Sequence, residues 1–203
     1  MMSADNEHLK GEILLSVARA AISQALGRPF TETSEQADWL QEKAACFVTL
    51  SQNGQLRGCI GTLEAQRSLL EDVKANAIAA ALKDTRFPPL SSEELNETDI
   101  EVSLLSPMQA LSFANEEEAL AQLHPGIDGV VFACGQYRST FLPQVWQQLP
   151  DTITFMAHLK QKAGLSPGFW AEDVKLYRYT VTKWKEAEFD EQALSAQQKE
   201  EVL

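Results

Sequence analysis

The chain has 203 residues and a formal net charge of −12, with a sequence pI of ≈ 4.7. That length supports a sizeable core, and the acidity argues against the broad cationic surface that nucleic-acid phosphates require. No apolar run approaches the roughly 20 residues of a membrane span.

The start, Met1-Met2-Ser3-Ala4-Asp5-Asn6-Glu7, lacks the basic and apolar regions of a signal peptide. Cys46, Cys59 and Cys134 form no CxxC pair, and His8, His124 and His158 are isolated. The expectation is a cytoplasmic protein with reduced thiols, no metal site and no cofactor signature, since P-loop, GxGxxG and GxSxG are all missing.

Leu9 to Leu26 spaces apolar residues as an amphipathic helix does, and Gly27 stops it. Residues 28–38 are polar and read as a loop. Cys46–Leu50 and Leu56–Leu63 read as two strands of a hairpin turned at Asn53-Gly54. Ser68-Leu69-Leu70-Glu71 is a capping box that opens a helix to about Lys83, with Leu69, Leu70, Val73, Ala77 and Ile78 inward. Pro88-Pro89 cannot continue it.

A helical turn at Ser91–Leu95 and a strand of alternating Ile100, Val102 and Leu104 follow. Asn115 caps a short helix, Ile127–Cys134 and Ser139–Leu142 are strands, and Asp151–Ala163 is a helix closed by Gly164. Val174–Trp184 reads as one strong strand. Residues 186–203 form an acidic tail without a dense apolar face. Helices and hairpins mix without regular strand-helix alternation, which predicts an α+β fold with a mainly antiparallel sheet flanked by helices.

The segment Leu56-Arg57-Gly58-Cys59-Ile60-Gly61 is the strongest chemical signal. Strand alternation sends Arg57, Cys59 and Gly61 to one face. A cation beside a thiol favours the thiolate, which is the nucleophilic form. Gly58 and Gly61 leave room for a backbone or a small ligand. Cys59 is thus the candidate catalytic residue; the alternative is a small packed thiol, which the lack of a neighbouring histidine favours.

Arg57, Arg86 and Arg138, with Thr140 beside the last, are the candidate ligand-binding set. Converging, they make an anion pocket; apart, they are ordinary ion pairs. Glu101 and Asp128 are the candidates for a general base; the alternative is a solvated strand-face carboxylate for Glu101 and a turn residue for Asp128, and His124 reads as a loop residue. Cys46 and Cys134 sit in apolar strands and read as core.

Leu56-Arg57-Gly58-Cys59-Ile60-Gly61 resembles the signature of the AMMECR domain family, also called AmmeMemoRadiSam system protein A. The likeness extends to Asp84-Thr85-Arg86-Phe87-Pro88-Pro89-Leu90, Ile100–Leu105, Gly126–Val131, Ser139–Val145, Lys162–Leu165 and Tyr177–Trp184. These blocks keep the family's order and cover roughly residues 9–185.

The resemblance implies one domain, 9–185, of two intertwined subdomains, the smaller also α+β, with the tail 186–203 outside it. It also implies a groove at the Arg-Gly-Cys segment and association with a Memo-like protein and a radical SAM protein. It supplies no reaction. The leading expectation is a groove that binds, and through Cys59 acts on, a small anionic ligand or modified residue. The rival is a non-catalytic accessory protein docking on such a partner. Nucleic-acid binding ranks below both.

Overall fold

The computed structural model describes residues 4–31 and 35–189. It has two antiparallel four-stranded sheets and several helices, the α+β class that the sequence predicts. The chain divides into two units. The first runs to Leu104 and resumes at Thr182; the second is Leu105–Val181. No helix among the described residues is long and apolar enough to cross a membrane.

The first unit opens with α1 (Ala4–Ala25). Its stop is Gly27, whose φ of 68° lets Arg28 N–H reach back to Ser23 O at 2.9 Å. The short helix α2 (Asp38–Gln41) begins at the last residue of the stretch read as loop, 28–38. Next come β1 (Ala45–Gln52) and β2 (Gln55–Gly61). Asn53 and Gly54 join them with φ of 50° and 76°, the double positive φ of a type I′ turn.

Ser68 caps α3 (Leu69–Leu82) with the reciprocal Ser68–Glu71 box. α3 buries Leu69, Val73 and Ala77 as predicted, whereas Leu70 and Ile78 are only partly covered. In their place it buries Asp72 and Asn76, polar residues that an apolar pattern cannot flag. A 3-10 turn (Glu94–Glu97) leads into β3 (Asp99–Leu105).

The second unit holds β4 (Gln109–Ala110), α4 (Glu116–Ala121), β5 (Gly129–Cys134) and β6 (Tyr137–Phe141). A 3-10 turn (Pro143–Gln147), α5 (Thr152–Lys162) and β7 (Lys175–Tyr179) complete it. Ile127, read as the first residue of a strand, lies ahead of β5 and is 58% exposed. β8 (Val181–Lys185) then joins the other sheet.

The aromatic run at 174–184 is therefore two strands in two sheets rather than one. The break is at Thr180, whose N–H donates to Ser106 Oγ and whose C=O accepts Ser106 N–H, each at 2.9 Å. Strand composition without Gly or Pro carries no mark of such a switch.

The first sheet has the order β2-β1-β3-β8, with β2 at one edge. Its core joins Leu14, Val17 and Ile22 of α1, Val48 and Leu50 of β1, and Val73 and Ala77 of α3 to Ile100, Val102 and Trp184. Trp184 lies against Gly11, where a Cβ would come within 2.3 Å of Trp184 Cδ1, so α1 needs glycine there.

Residues 186–189, placed by composition in the acidic tail, form a helical turn with defined partners: Glu186 bonds Arg19 and Ile100 N–H, and Phe189 packs on the core. The rest of that tail, 190–203, lies outside the described residues. The second sheet has the order β4-β7-β5-β6. Its separate core includes Phe132, Trp146, Phe155, Met156, Leu159 and Leu176.

Candidate functional site

Cys59 lies on β2 opposite Thr49 of β1. The register shifts at Leu50/Ser51: Leu50 pairs with Gly58 and Ser51 with Leu56, so Arg57 is an extra residue without a partner. That bulge breaks the two-residue alternation from which Arg57 and Cys59 were expected to share a face. The Arg57 fork is spent on Glu94, with Nε to Oε1 at 3.2 Å and Nη2 to Oε2 at 3.3 Å. Glu94 also accepts Ser91 N–H, and this bond first, then Arg57, holds its carboxyl below the usual range. Arg57 thereby fastens the edge strand to the 3-10 turn.

The guanidinium that reaches Cys59 is that of Arg86. Its Nη2 donates to Cys59 O at 3.2 Å, while Nε and Nη2 donate to Asp84 Oδ1 and Oδ2 at 2.9 and 2.6 Å. Asp84 Oδ2 in turn accepts Cys59 N–H at 2.8 Å. Both backbone groups of Cys59 point off the open edge of the sheet, and the Asp84–Arg86 pair supplies the acceptor and donor that a further strand would supply. The Arg86 side chain is 55% exposed and lies over the Phe87 ring at 5.5 Å. The Arg86 bond first, and then the Cys59 N–H, keep the Asp84 carboxyl well below the usual carboxylate range against the opposing effect of burial.

Cys59 is half-buried, and its sulfur accepts the Thr49 hydroxyl at 3.2 Å. The Cys59 amide, committed to Asp84, cannot serve as an oxyanion donor while that bond stands. No histidine among the described residues bonds the thiol. These features suit a thiol that is held and contacted better than one equipped for acyl transfer.

The two glycines have identifiable tasks. A Cβ at Gly58 would sit 2.2 Å from Ala80 O, so glycine there lets α3 lie directly on β2. A Cβ at Gly61 would meet Phe47 Cγ at 2.2 Å and Cys46 O at 2.7 Å. The room that these glycines leave is filled by the protein's own atoms.

Arg138 and Thr140 belong to β6 of the second unit, where Thr140 Oγ1 bonds Tyr179 Oη at 3.1 Å. Arg57, Cys59 and Arg86 belong to the first. Glu101 takes Lys183 and Lys185 at 3.2 and 3.4 Å. Cys46 and Cys134 are buried, as expected; burial first, then a nearby aspartate, pushes each thiol up.

Sequence reasoning missed Asp84, Thr49 and the task of Glu94. Asp84 did carry a signal. An aspartate two residues before an arginine, just past a helix end, can meet the arginine's fork and aim it.

A family model described as AMMECR1 matches residues 15–184. Protein MJ0810 of Methanocaldococcus jannaschii is 37% identical over 183 residues, covering 88% of this chain and 91% of that protein. A Methanothermobacter thermautotrophicus protein is 34% identical over 174 residues, covering 84% and 91%. The crystal structure of PH0010 from Pyrococcus horikoshii, described as an uncharacterized protein, superposes with a TM-score of 0.73 at 35% identity, covering 87% of this chain and 91% of that one. On the family match and these relatives, the chain belongs to the AMMECR1 family.

Proposed function

We propose that the surface around Cys59 binds a small anionic ligand, with Arg86 as the recognising cation and the Cys59 sulfur as a contact atom. The observation that carries this reading is the exposed Arg86 guanidinium held at the Cys59 backbone by Asp84. Its Nη1 has no partner among the described residues and is open to a carboxylate or phosphate oxygen. Asp84 offsets much of the positive charge, so the attraction is local and modest.

Paired alkylation tests this. Iodoacetate and iodoacetamide differ in charge and little in size. At Cys59 the iodoacetate-to-iodoacetamide rate ratio is expected to exceed that of the unfolded chain about threefold, a surface-pair effect. Arg86→Gln is expected to erase the excess. An unfolded-like ratio in the wild type would sink the proposal.

The second reading is a non-catalytic accessory role, in which the same surface docks on a Memo-like or radical SAM protein. It is favoured by the commitment of the Cys59 amide to Asp84, which withdraws that amide as an oxyanion donor. Retained affinity for such a partner in Cys59→Ser, with loss in Arg86→Gln, would support docking without thiol chemistry.

A further inference from the structure

The second unit holds a charged cluster that the Cys59 reading does not use. His124-Pro125-Gly126-Ile127 turns tightly: Ile127 N–H and Asp128 N–H both return to His124 O, at 3.1 and 3.0 Å, and Gly126 supplies a φ of 81°. The turn carries the Asp128 carboxyl inward, leaving its side chain 4% exposed. Behind it, Trp146 Nε1 donates to Asp128 O at 2.7 Å, and the Trp146 ring stacks on Phe155 at 3.6 Å. The carboxylate is therefore anchored by its backbone as well as its neighbours.

Two basic side chains lean on this anchor. His124 lies against Asp128 Oδ2 through its backbone N–H at 2.8 Å and its Nδ1 at 3.0 Å. Arg178, on β7, brings Nη1 to 4.0 Å from the same oxygen and 3.2 Å from His124 Nδ1. Its Nη1 donates to Gln122 O at 2.9 Å and its Nε to Gln109 Oε1 at 3.4 Å.

Among the described residues, Asp128 from the turn and Arg178 from β7 are the charged groups bonded to or touching the imidazole. With Nδ1–H given to the carboxylate, the imidazole's remaining nitrogen is Nε2. Neither His124 Nε2 nor Arg178 Nη2 has a partner among the described residues, and the two side chains are 58% and 30% exposed.

The charge arithmetic gives the cluster its character. With a neutral imidazole, Asp128 and Arg178 cancel. With an imidazolium the cluster carries one positive charge, and Nε2–H and Nη2–H are the donors left over on two side chains that meet at 3.2 Å through Nδ1 and Nη1. Like charges side by side are unfavourable unless an anion joins them, so proton uptake and anion binding reinforce one another.

We propose that His124 and Arg178, held on buried Asp128, form a binding site for a tetrahedral dianion such as the phosphoryl group of a small ligand, with His124 taking up a proton as the ligand binds. This site lies within the second unit and does not depend on the Cys59 reading.

Sulfate is the probe, because it stays a dianion across the range where histidine titrates. Histidine side-chain resonances of the full chain are followed in sulfate against chloride at matched ionic strength. The His124 signal alone among the three histidines is expected to move saturably, with binding about fivefold or more tighter at pH 6 than at pH 8. Arg178→Lys, which loses the fork, is expected to weaken binding about fivefold. His124→Gln, at an exposed position, is expected to abolish the pH dependence. Equal movement of all three histidines, or affinity in the wild type that ignores pH, would overturn the proposal.

Discussion

The backbone N–H of Cys46 on β1 donates to Asp72 Oδ2 at 2.9 Å, and that of Cys59 on β2 donates to Asp84 Oδ2 at 2.8 Å. Each carboxylate also receives an arginine Nε, from Arg67 at 2.8 Å and from Arg86 at 2.9 Å. The surroundings then diverge. Asp72 is 1% exposed and further accepts the Thr62 hydroxyl at 2.6 Å and Asn76 Nδ2 at 3.0 Å. Asp84 is nearly as buried, its side chain 4% exposed. Beside the Cys59 amide, however, its donors among the described residues all come from Arg86, the backbone N–H at 3.2 Å and the fork, and the Arg86 side chain is more than half in solvent.

One device thus does two jobs. On β1, inside the sheet, it ties α3 to the strand and closes a buried polar network. On β2, at the edge, it occupies the backbone groups of a strand that has no further neighbour among the described residues, and leaves an arginine beside a half-buried cysteine. Identical first contacts do not make identical sites; what surrounds them decides which is structural.

The largest effect should separate the two carboxylates. Asp72→Ala strips a buried carboxylate from four donors, and its expected cost is about 3 kcal/mol, read as a lower denaturant midpoint. Asp84→Asn is expected to cost about 1 kcal/mol at pH 7, because its partner is solvent-screened. The pH dependence has a definite sign. The Asp84 carboxyl is held below its usual range when folded, so its contribution is complete above about pH 4 and fades as pH falls through the lower folded value. The gap between wild type and Asp84→Asn should therefore close in acid. A gap that widened there would break the comparison.

The glycines come next in size. Gly58→Ala drives a methyl into the Ala80 carbonyl of α3, a backbone atom with little freedom, and is expected to cost about 2 kcal/mol. Gly61→Ala meets Phe47 first, a half-buried ring that can swing, although Cys46 O at 2.7 Å limits the relief. About 1 kcal/mol is expected there. Equal costs would mean that the hairpin, and not α3, sets the demand for glycine at both positions.

How much of this could be read beforehand follows from which signals are local. The Asn53-Gly54 turn, the Ser68–Glu71 box, the Asn115 cap and the Gly164 stop are short-range devices, and each stands where the residues place it. The pairing of Arg57 with Glu94 has no local sign, because a bulge leaves no mark in a seven-residue strand and one extra residue undoes the alternation beyond it. Asp84 was passed over because its partner, the Cys59 amide, lies 25 residues away. Asp128 was read correctly as a turn residue, yet burial of its carboxyl against His124 depends on Trp146 and on β7, which no local pattern contains.

The smallest change in stability bears most directly on whether Cys59 is more than packing. Thr49→Val keeps the shape of the side chain and removes the hydroxyl that donates to the sulfur at 3.2 Å. Because Thr49 is only partly buried and the bond to sulfur is weak, the fold should lose no more than about 0.5 kcal/mol. Alkylation of Cys59 is expected to slow about two- to threefold, since the charge that develops on sulfur loses a donor. Cys46 and Cys134, both buried, should stay unreactive in wild type and variant until the chain unfolds. If all three thiols instead react together at the unfolding rate, Cys59 is as closed as Cys46, and the difference drawn between the two carboxylate clamps has no chemical consequence.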